Sequence, residues 1–167
     1  MWNIISEYLK DHPERLAVAK VLVENGFSIR EEKIYCNQIE IPAIRIAKAA
    51  KVDRRTVVET VKMIQKEVRL KEIFDRIRSA GLSLREIARY LGLGVIEITP
   101  TDPRTVGILA QSASVVAEEG LSIRQALVDD PELTPEPRLT LIVEGELPGD
   151  AISRILKIKG VDKVSIS

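Results

Sequence analysis

Histidine and cysteine, the residues that most often bind metals or carry catalysis, are almost absent from this chain. Its 167 residues include one His and one Cys. With Cys36 as the only cysteine, an intramolecular disulfide and a thiolate metal cluster are both excluded. His12 lies beside Pro13 at a predicted helix start, where a capping or surface position is expected rather than acid–base chemistry.

Other catalytic patterns are missing as well. The sequence has no nucleophile motif, no phosphate-binding glycine loop and no metal-ligand spacing. Its paired acidic residues, such as Glu118-Glu119 and Asp129-Asp130, are most simply solvated. We therefore expect a protein that is not an enzyme and that uses no cofactor.

Long apolar runs are also missing. None approaches the roughly 20 residues that a membrane span needs, and the first residues lack the basic-then-apolar pattern of a signal peptide. Hydrophobic residues make up 45% and charged residues 30%, which is the profile of a soluble globular protein. We expect a cytoplasmic protein with no membrane partner.

The net charge of zero hides a division along the chain. Residues 1–92 carry 18 basic and 13 acidic side chains, a net charge of +5, whereas residues 93–167 carry 7 and 12, a net charge of −5. Residues 41–78 alone carry 11 basic and 5 acidic side chains. This division predicts two domains joined near Gly92, of which the first faces a polyanion.

Apolar spacing and helix-end residues predict an all-helical N-terminal domain over residues 1–92. Within it, only residues 28–41 are expected to form a short strand or an irregular arm. Pro13 and Pro42 suit the first turn of a helix, and Gly26 and Gly81 suit helix ends. The predicted helices cover residues 3–10, 13–25, 42–50, 54–67, 70–80 and 84–91.

Residues 44–57 resemble a helix-turn-helix. Ala47 is small enough for two helices to approach closely, Asp53 is suited to cap the second helix, and Lys51 stands at the turn position that glycine usually fills. The shared core is predicted to contain Ile46, Ala50, Val52, Val57 and Val61. Similar helix pairs also occur in bundles that never touch DNA. The resemblance implies binding of double-stranded DNA through Arg54, Arg55, Thr56, Glu59, Lys62 and Lys66.

Residues 93–167 are predicted to form a ferredoxin-like sandwich in the order strand, helix, strand, strand, helix, strand. Two helices, residues 105–119 and 148–159, end at Gly120 and Gly160. The apolar strand positions are Val95, Ile96 and Ile98, then Leu121, Ile123, Ala126 and Val128, then Leu139, Leu141 and Val143, and finally Val161, Val164 and Ile166. The whole chain is thus predicted to be α+β.

Three segments of this half resemble the ACT domain, a regulatory module that binds amino acids and related metabolites. They are Gly107-Ile108-Leu109-Ala110, Glu119-Gly120-Leu121-Ser122-Ile123 and Ile155-Leu156-Lys157-Ile158-Lys159-Gly160-Val161. The resemblance implies a homodimer or higher homo-oligomer, with the ligand commonly at an interface between two such domains. The implied ligand-binding residues are Thr101, Asp102, Pro103, Arg104, Thr105, Val106, Gly107, Ser122 and Ile123.

Physical chemistry favours the same loop. Gly107 permits a ligand to approach the backbone, a helix start attracts a carboxylate, and Arg104 is available to pair with it. Arg104 stands where the family usually has an acidic residue, and Ser122 where it usually has asparagine.

The combination resembles predicted archaeal regulators of amino-acid metabolism that join a helix-turn-helix-like region to an ACT domain. We therefore expect a DNA-binding transcriptional regulator whose C-terminal domain senses an amino acid or a related metabolite. The alternative is a sensor subunit that does not bind DNA and regulates a metabolic enzyme through protein contact.

Overall fold

The computed structural model describes all residues from Met1 to Ser167. They divide into two compact units, residues 1–81 and 82–167. Helices alternate with two antiparallel sheets of three and four strands. The chain is therefore mixed α and β, as predicted. No helix is both long enough and apolar enough to cross a membrane.

Five helices form most of the first unit: α1 (Trp2–Leu9), α2 (Pro13–Glu24), α3 (Ala43–Ala50), α4 (Arg54–Lys66) and α5 (Val68–Arg76). Pro13 occupies the first position of α2, where its missing N–H removes no hydrogen bond. Side chains spaced three or four residues apart form the core, including Ile5, Leu9, Leu22, Ile64, Leu70 and Phe74, all fully buried. The helix predicted over residues 70–80 begins and ends earlier, as α5.

The prediction of an all-helical N-terminal domain is wrong. Three short strands, β1 (Phe27–Arg30), β2 (Lys33–Cys36) and β3 (Ile39–Ile41), form an antiparallel sheet in the order β1-β2-β3. Glu31 and Glu32 join β1 to β2 with positive φ angles of 50° and 59°. A hairpin turn of this kind is usually predicted from Asn-Gly or a related pair. The two glutamates give no such signal, so the turn is not predicted from the sequence.

The second unit contains β4 (Leu93–Pro100), α6 (Ile108–Glu118), β5 (Ile123–Val128), β6 (Leu139–Glu144), α7 (Gly149–Leu156) and β7 (Val161–Ile166). The strands pair antiparallel in the order β5-β6-β4-β7. This is the predicted order of strands and helices. One face of the sheet packs with α6 and α7 into a core that includes Ile96, Ile98, Val116, Leu141 and Ile155.

A 3₁₀ helix (Arg85–Leu91) precedes β4 and belongs to the second unit. Its Ala88 packs with Val95 and Ile142, which point away from the α6 and α7 face because strand side chains alternate. The side chain of Gln125 donates to the carbonyl of Leu82 at 2.7 Å and accepts the N–H of Leu84 at 2.9 Å. The boundary between the two units along the chain therefore precedes this helix, whereas the sequence suggested a boundary at Gly92.

Candidate functional site

The connection between α3 and α4 is a tight turn with a well-bonded backbone. The N–H of Val52 donates to the carbonyl of Ala47 at 3.0 Å, and the N–H of Lys51 donates to that of Lys48 at 3.4 Å. This is the Schellman arrangement, which ends a helix with one left-handed residue. Lys51 is that residue, with φ 56°. The turn is thus as sharp as a glycine turn, at a cost of about 1 kcal/mol.

Asp53 begins α4. Its Oδ1 accepts the N–H of Arg55 at 2.6 Å, which satisfies one of the donors that a helix start leaves open. Ala47 is buried behind the turn, where its small side chain lets α3 and α4 approach each other. Ala50 and Val52, also expected in this core, are only half-buried. The buried side chains shared by the two helices include Ile46, Ala47, Val57 and Val61.

Most of the predicted DNA-binding residues form an exposed stripe on α4. Arg55, Glu59, Lys62 and Lys66 are all exposed, and their spacing of four, three and four residues places them on one side of the helix. Arg54, at the first position of α4, is also exposed. The side chain of Arg55 is 86% exposed. The structure therefore presents four cations at the start and along one side of α4.

Thr56 and Glu59 also have partners on α2. Thr56 Oγ1 donates to Glu14 Oε2 at 3.2 Å, and Arg15 Nη2 donates to Glu59 Oε2 at 3.3 Å. Glu59 Oε1 lies 3.9 Å from Arg55 Nε. Thr56 and Glu59 thus connect α4 to α2 through hydrogen bonds. Sequence patterns gave no sign of this role because the partners lie far apart along the chain.

A groove of about 600 Å³ lies between the β2–β3 hairpin and the start of α4. Ile44 is 45% exposed in its wall, Ile39 on the neighbouring strand is 69% exposed, and Arg54 contributes a charge. Lys33 donates to Glu40 at 3.0 Å, and this hydrogen bond raises the pKa of Lys33 above its ordinary value. An apolar surface with charged edges therefore adjoins the basic stripe.

The loop between β4 and α6 contains seven of the predicted ligand-binding residues, 101–107. Asp102 stabilises a turn in the loop. Its Oδ1 accepts the N–H of Arg104 at 2.9 Å, and its carbonyl oxygen accepts the N–H of Thr105 at 3.0 Å. The N–H of Thr101 donates to the carbonyl of Gly160 at 2.8 Å. Gly107, with φ 89°, precedes α6, whose start has no side-chain cap. Several N–H groups therefore remain open at this helix start.

A cavity of about 260 Å³ adjoins the loop. Three of the residues that were predicted to bind a ligand line it, namely Pro103, Thr105 and Gly107. The remaining lining residues are Ile98, Pro100, Ile108, Leu109, Val128, Asp129, Pro137, Arg138 and Leu139. Val128 and Leu139 are partners across β5 and β6. The alternation of apolar residues predicts the two strands. It does not predict that the strand ends at Val128 and Leu139 lie beside the 101–107 loop.

Ser122 and Ile123 lie at the opposite end of β5 from this cavity. The carbonyl of Ser122 accepts the N–H of Glu144 at 2.9 Å, and Ile123 is paired with Val143. Ile123 and Val128 are separated by about 17 Å, given a rise of about 3.3 Å per strand residue. Within one chain, the structure does not bring Ser122 and Ile123 to the 101–107 loop. The two groups can share a ligand only across two copies of the chain.

On the other face of the same sheet, Glu97 lies between two arginines. Its Oε1 is 2.5 Å from Arg85 Nη2 and 3.7 Å from Arg138 Nη1, and its side chain is 17% exposed. A cavity of about 610 Å³ on this face is lined by these three residues together with Asp129, Glu136 and others. The sequence signal for this cluster is one acidic residue in the middle of an apolar strand.

These surfaces carry groups that are suited to binding. Exposed guanidinium and ammonium groups on α4 suit phosphates, and the apolar cavity beside α6 suits a small organic molecule. Among His, Cys, Asp and Glu, no three side chains stand together as a possible metal site. No protein-family model matches the chain, and a search of the curated proteins found no match.

Proposed function

We propose that this protein is a transcriptional regulator of amino-acid metabolism. Its first unit binds double-stranded DNA through a helix-turn-helix formed by α3 and α4, and its second unit is an ACT-type domain that binds an amino acid. The observation that carries the proposal is the closed turn at Lys51, followed by a capped α4 with Arg54 and Arg55 exposed at its start. A recognition helix contacts base edges with its N-terminal residues.

Electrostatics supports this role for α4. Arg54, Arg55, Lys62 and Lys66 offer four cations to a polyanion, and the start of a helix adds a favourable dipole for phosphate. Each phosphate that a protein neutralises releases counterions, so affinity falls as the salt concentration rises. The carboxylate of Glu59 lies within the same stripe and weakens this attraction.

The second unit supports ligand sensing. Its βαββαβ order and the cavity beside the 101–107 loop agree with the ACT-type resemblance. The distance between this loop and Ser122 favours a ligand held between two copies of the chain. A ligand that changes the arrangement of a dimer would alter the separation of its recognition helices, to which half-sites about one DNA turn apart are sensitive.

The test is a titration of fluorescent genomic DNA fragments with the purified protein across a salt series. We expect tight binding at low salt that a pooled amino-acid mixture shifts. Arg54→Ala/Arg55→Ala should weaken binding and reduce the slope of log affinity against log salt by about 2, roughly one for each phosphate that the variant no longer neutralises. The matched control, Lys157→Ala/Lys159→Ala, removes two exposed cations from the second unit and should leave the slope unchanged.

Two outcomes would contradict the proposal. Absence of binding at low salt would remove DNA from the function. If an amino acid binds the protein and leaves its DNA affinity unchanged, the two binding sites are not coupled, because a coupled ligand must change the affinity for DNA.

The groove beside α4 favours a second candidate, a sensor subunit that contacts a metabolic enzyme. Ile44 is exposed in this groove and Ile39 is exposed on β3, and exposed apolar surface is characteristic of protein contacts. In that case a protein partner would bind with little dependence on salt, and Ile44→Asp would abolish its binding. Steep salt dependence together with unchanged DNA binding by Ile44→Asp would favour the regulator.

A further inference from the structure

We infer that the cavity beside the start of α6 selects free amino acids with an aliphatic side chain, such as valine, leucine or isoleucine. The inference rests on the proposed ligand-sensing function of the second unit and adds the class of ligand to it. It also assigns to ligand binding two residues, Val128 and Asp129, that lie outside the predicted site.

The size and lining of the cavity carry the first step. Its volume of about 260 Å³ is below the roughly 300–1,000 Å³ of pockets for drug-sized ligands, so it suits a molecule the size of one amino acid. Its apolar wall includes Ile108 and Leu139, which are 7% and 5% exposed, together with Pro100, Leu109 and Val128. A charged side chain placed against these residues would lose its hydration without gaining a partner.

The rim carries the second step. Val128 is 65% exposed and Leu109 is 43% exposed, although both line the cavity. Val128 is paired with Leu139, so its side chain lies on the α6 face of the sheet, but β5 is an edge strand. Two large apolar side chains are thus left in water at the mouth of one small cavity. An aliphatic ligand would cover both.

The charged groups around the mouth carry the third step. Asp129 Oδ2 accepts the N–H of Arg138 at 3.1 Å, which leaves Oδ1 available to the ammonium group of a ligand. The guanidinium of Arg138 is directed to Glu97 and Glu136, so it is occupied elsewhere. Arg104, exposed in the loop between two cavity-lining residues, is available to the ligand's carboxylate. One acidic and one basic group match a zwitterion with an uncharged side chain.

The experiment is isothermal titration calorimetry of the full chain with leucine, isoleucine, valine, alanine, aspartate and tryptophan. We expect the three aliphatic amino acids to bind, and alanine to bind roughly tenfold more weakly because it fills less of the apolar space. Aspartate should be rejected by Asp129, and tryptophan should bind more weakly than leucine because its indole N–H would lose its hydration against the apolar wall. Comparable binding of aspartate, or tighter binding of tryptophan than of leucine, would overturn the inference.

Variants at the rim locate the site. Val128→Asp should weaken leucine binding at least tenfold, whereas Val128→Ile should retain it. The matched control is Leu82→Asp, since Leu82 is 68% exposed in the same unit and does not line the cavity. If circular dichroism shows that Val128→Asp does not fold, Val128→Thr replaces it, with the same shape and one hydroxyl. Leucine binding that the folded rim variant leaves unchanged would place the site elsewhere and overturn the inference.

The outcomes separate this inference from the proposed function. Salt-sensitive DNA binding by a protein that binds none of the aliphatic amino acids would overturn the inference and leave the DNA-binding role standing. Leucine binding that Val128→Asp abolishes, in a protein that does not bind DNA at low salt, would support the inference and contradict the regulator.

Discussion

The N–H of Val52 donates to the carbonyl oxygen of Ala47 and closes the turn between α3 and α4 across a left-handed lysine. A side chain with a Cβ atom is strained in that conformation, whereas glycine is not. The residue types between α3 and α4 therefore do not predict this tight turn. Lys51 keeps a positive charge beside the exposed start of α4 at some expense in stability.

Replacing Lys51 by glycine should stabilise the first unit. We expect Lys51→Gly to raise the free energy of unfolding by about 0.5–1 kcal/mol, because relief of the left-handed strain exceeds the added entropy of the unfolded chain. Lys51→Ala removes the same charge and keeps the strain, so it should give no gain. Trp2 is the only tryptophan and lies in this unit, so its fluorescence in urea measures the change. Equal stability of the Gly and Ala variants would contradict the strain.

Glu59→Gln should strengthen DNA binding, in the opposite direction to Arg55→Ala. Glu59 Oε1 lies 3.9 Å from Arg55 Nε, within the stripe that is proposed to face phosphates. Removing its charge ends a repulsion between this carboxylate and the phosphates, so the affinity should rise, whereas the salt slope should change by less than about 1 because Arg55 already neutralises one phosphate. The DNA titration measures this. Glu24→Gln, which removes an exposed charge at the end of α2, is the control. A weaker affinity in Glu59→Gln would show that Glu59 itself accepts a contact from the DNA.

The fold of the second unit was largely predictable because each of its signals is local. Gly120 and Gly160 have positive φ angles of 72° and 91° close behind α6 and α7, and β5 alternates between half-buried and exposed residues. The cavity was not predictable in the same way. Val128 and Leu139 meet the start of α6 through sheet pairing, which no spacing within one segment reveals.

The first unit shows the converse case. Ile29 and Ile34 are register partners and are both buried, so residues 27–41 form a true sheet. Without a glycine or an asparagine between β1 and β2, the turn at Glu31-Glu32 resembles a charged loop. Glutamate does not favour the positive φ angles that Glu31 and Glu32 adopt. The pairing of β1 with β2 on each side of the turn overrides this preference.

Glu97 should matter more to stability than an ordinary surface carboxylate. Its side chain is 17% exposed between Arg85 and Arg138. Glu97→Gln would remove the carboxylate that both guanidinium groups share and leave them only the exposed carboxylates of Glu86 and Glu136, so we expect a loss of about 1–2 kcal/mol. Urea unfolding followed by circular dichroism measures it.

The control for Glu97 is Glu144→Gln. Arg124 and Glu144 form a pair at 3.0 Å in the same sheet, with side chains 53% and 49% exposed. Such a pair contributes about 0–1 kcal/mol, so its loss should be small. If the two variants lost equal stability, the partial burial of Glu97 would have no energetic consequence.

Ser112→Ala should stabilise the second unit. The hydroxyl of Ser112 is fully buried on the core side of α6, and its Oγ has no hydrogen-bond partner. Burying an unpaired hydroxyl is unfavourable, and alanine is the better helix former by about 0.5 kcal/mol. We expect the melting temperature to rise by about 2–5 °C in calorimetry of the full chain. Ser114→Ala on the same helix is the matched control, because its exposed hydroxyl already donates to the carbonyl of Ala110 at 3.0 Å. It gains the helix preference but loses this hydrogen bond, so its rise should be smaller. A lower melting temperature for Ser112→Ala would show that the buried hydroxyl does have a partner in solution.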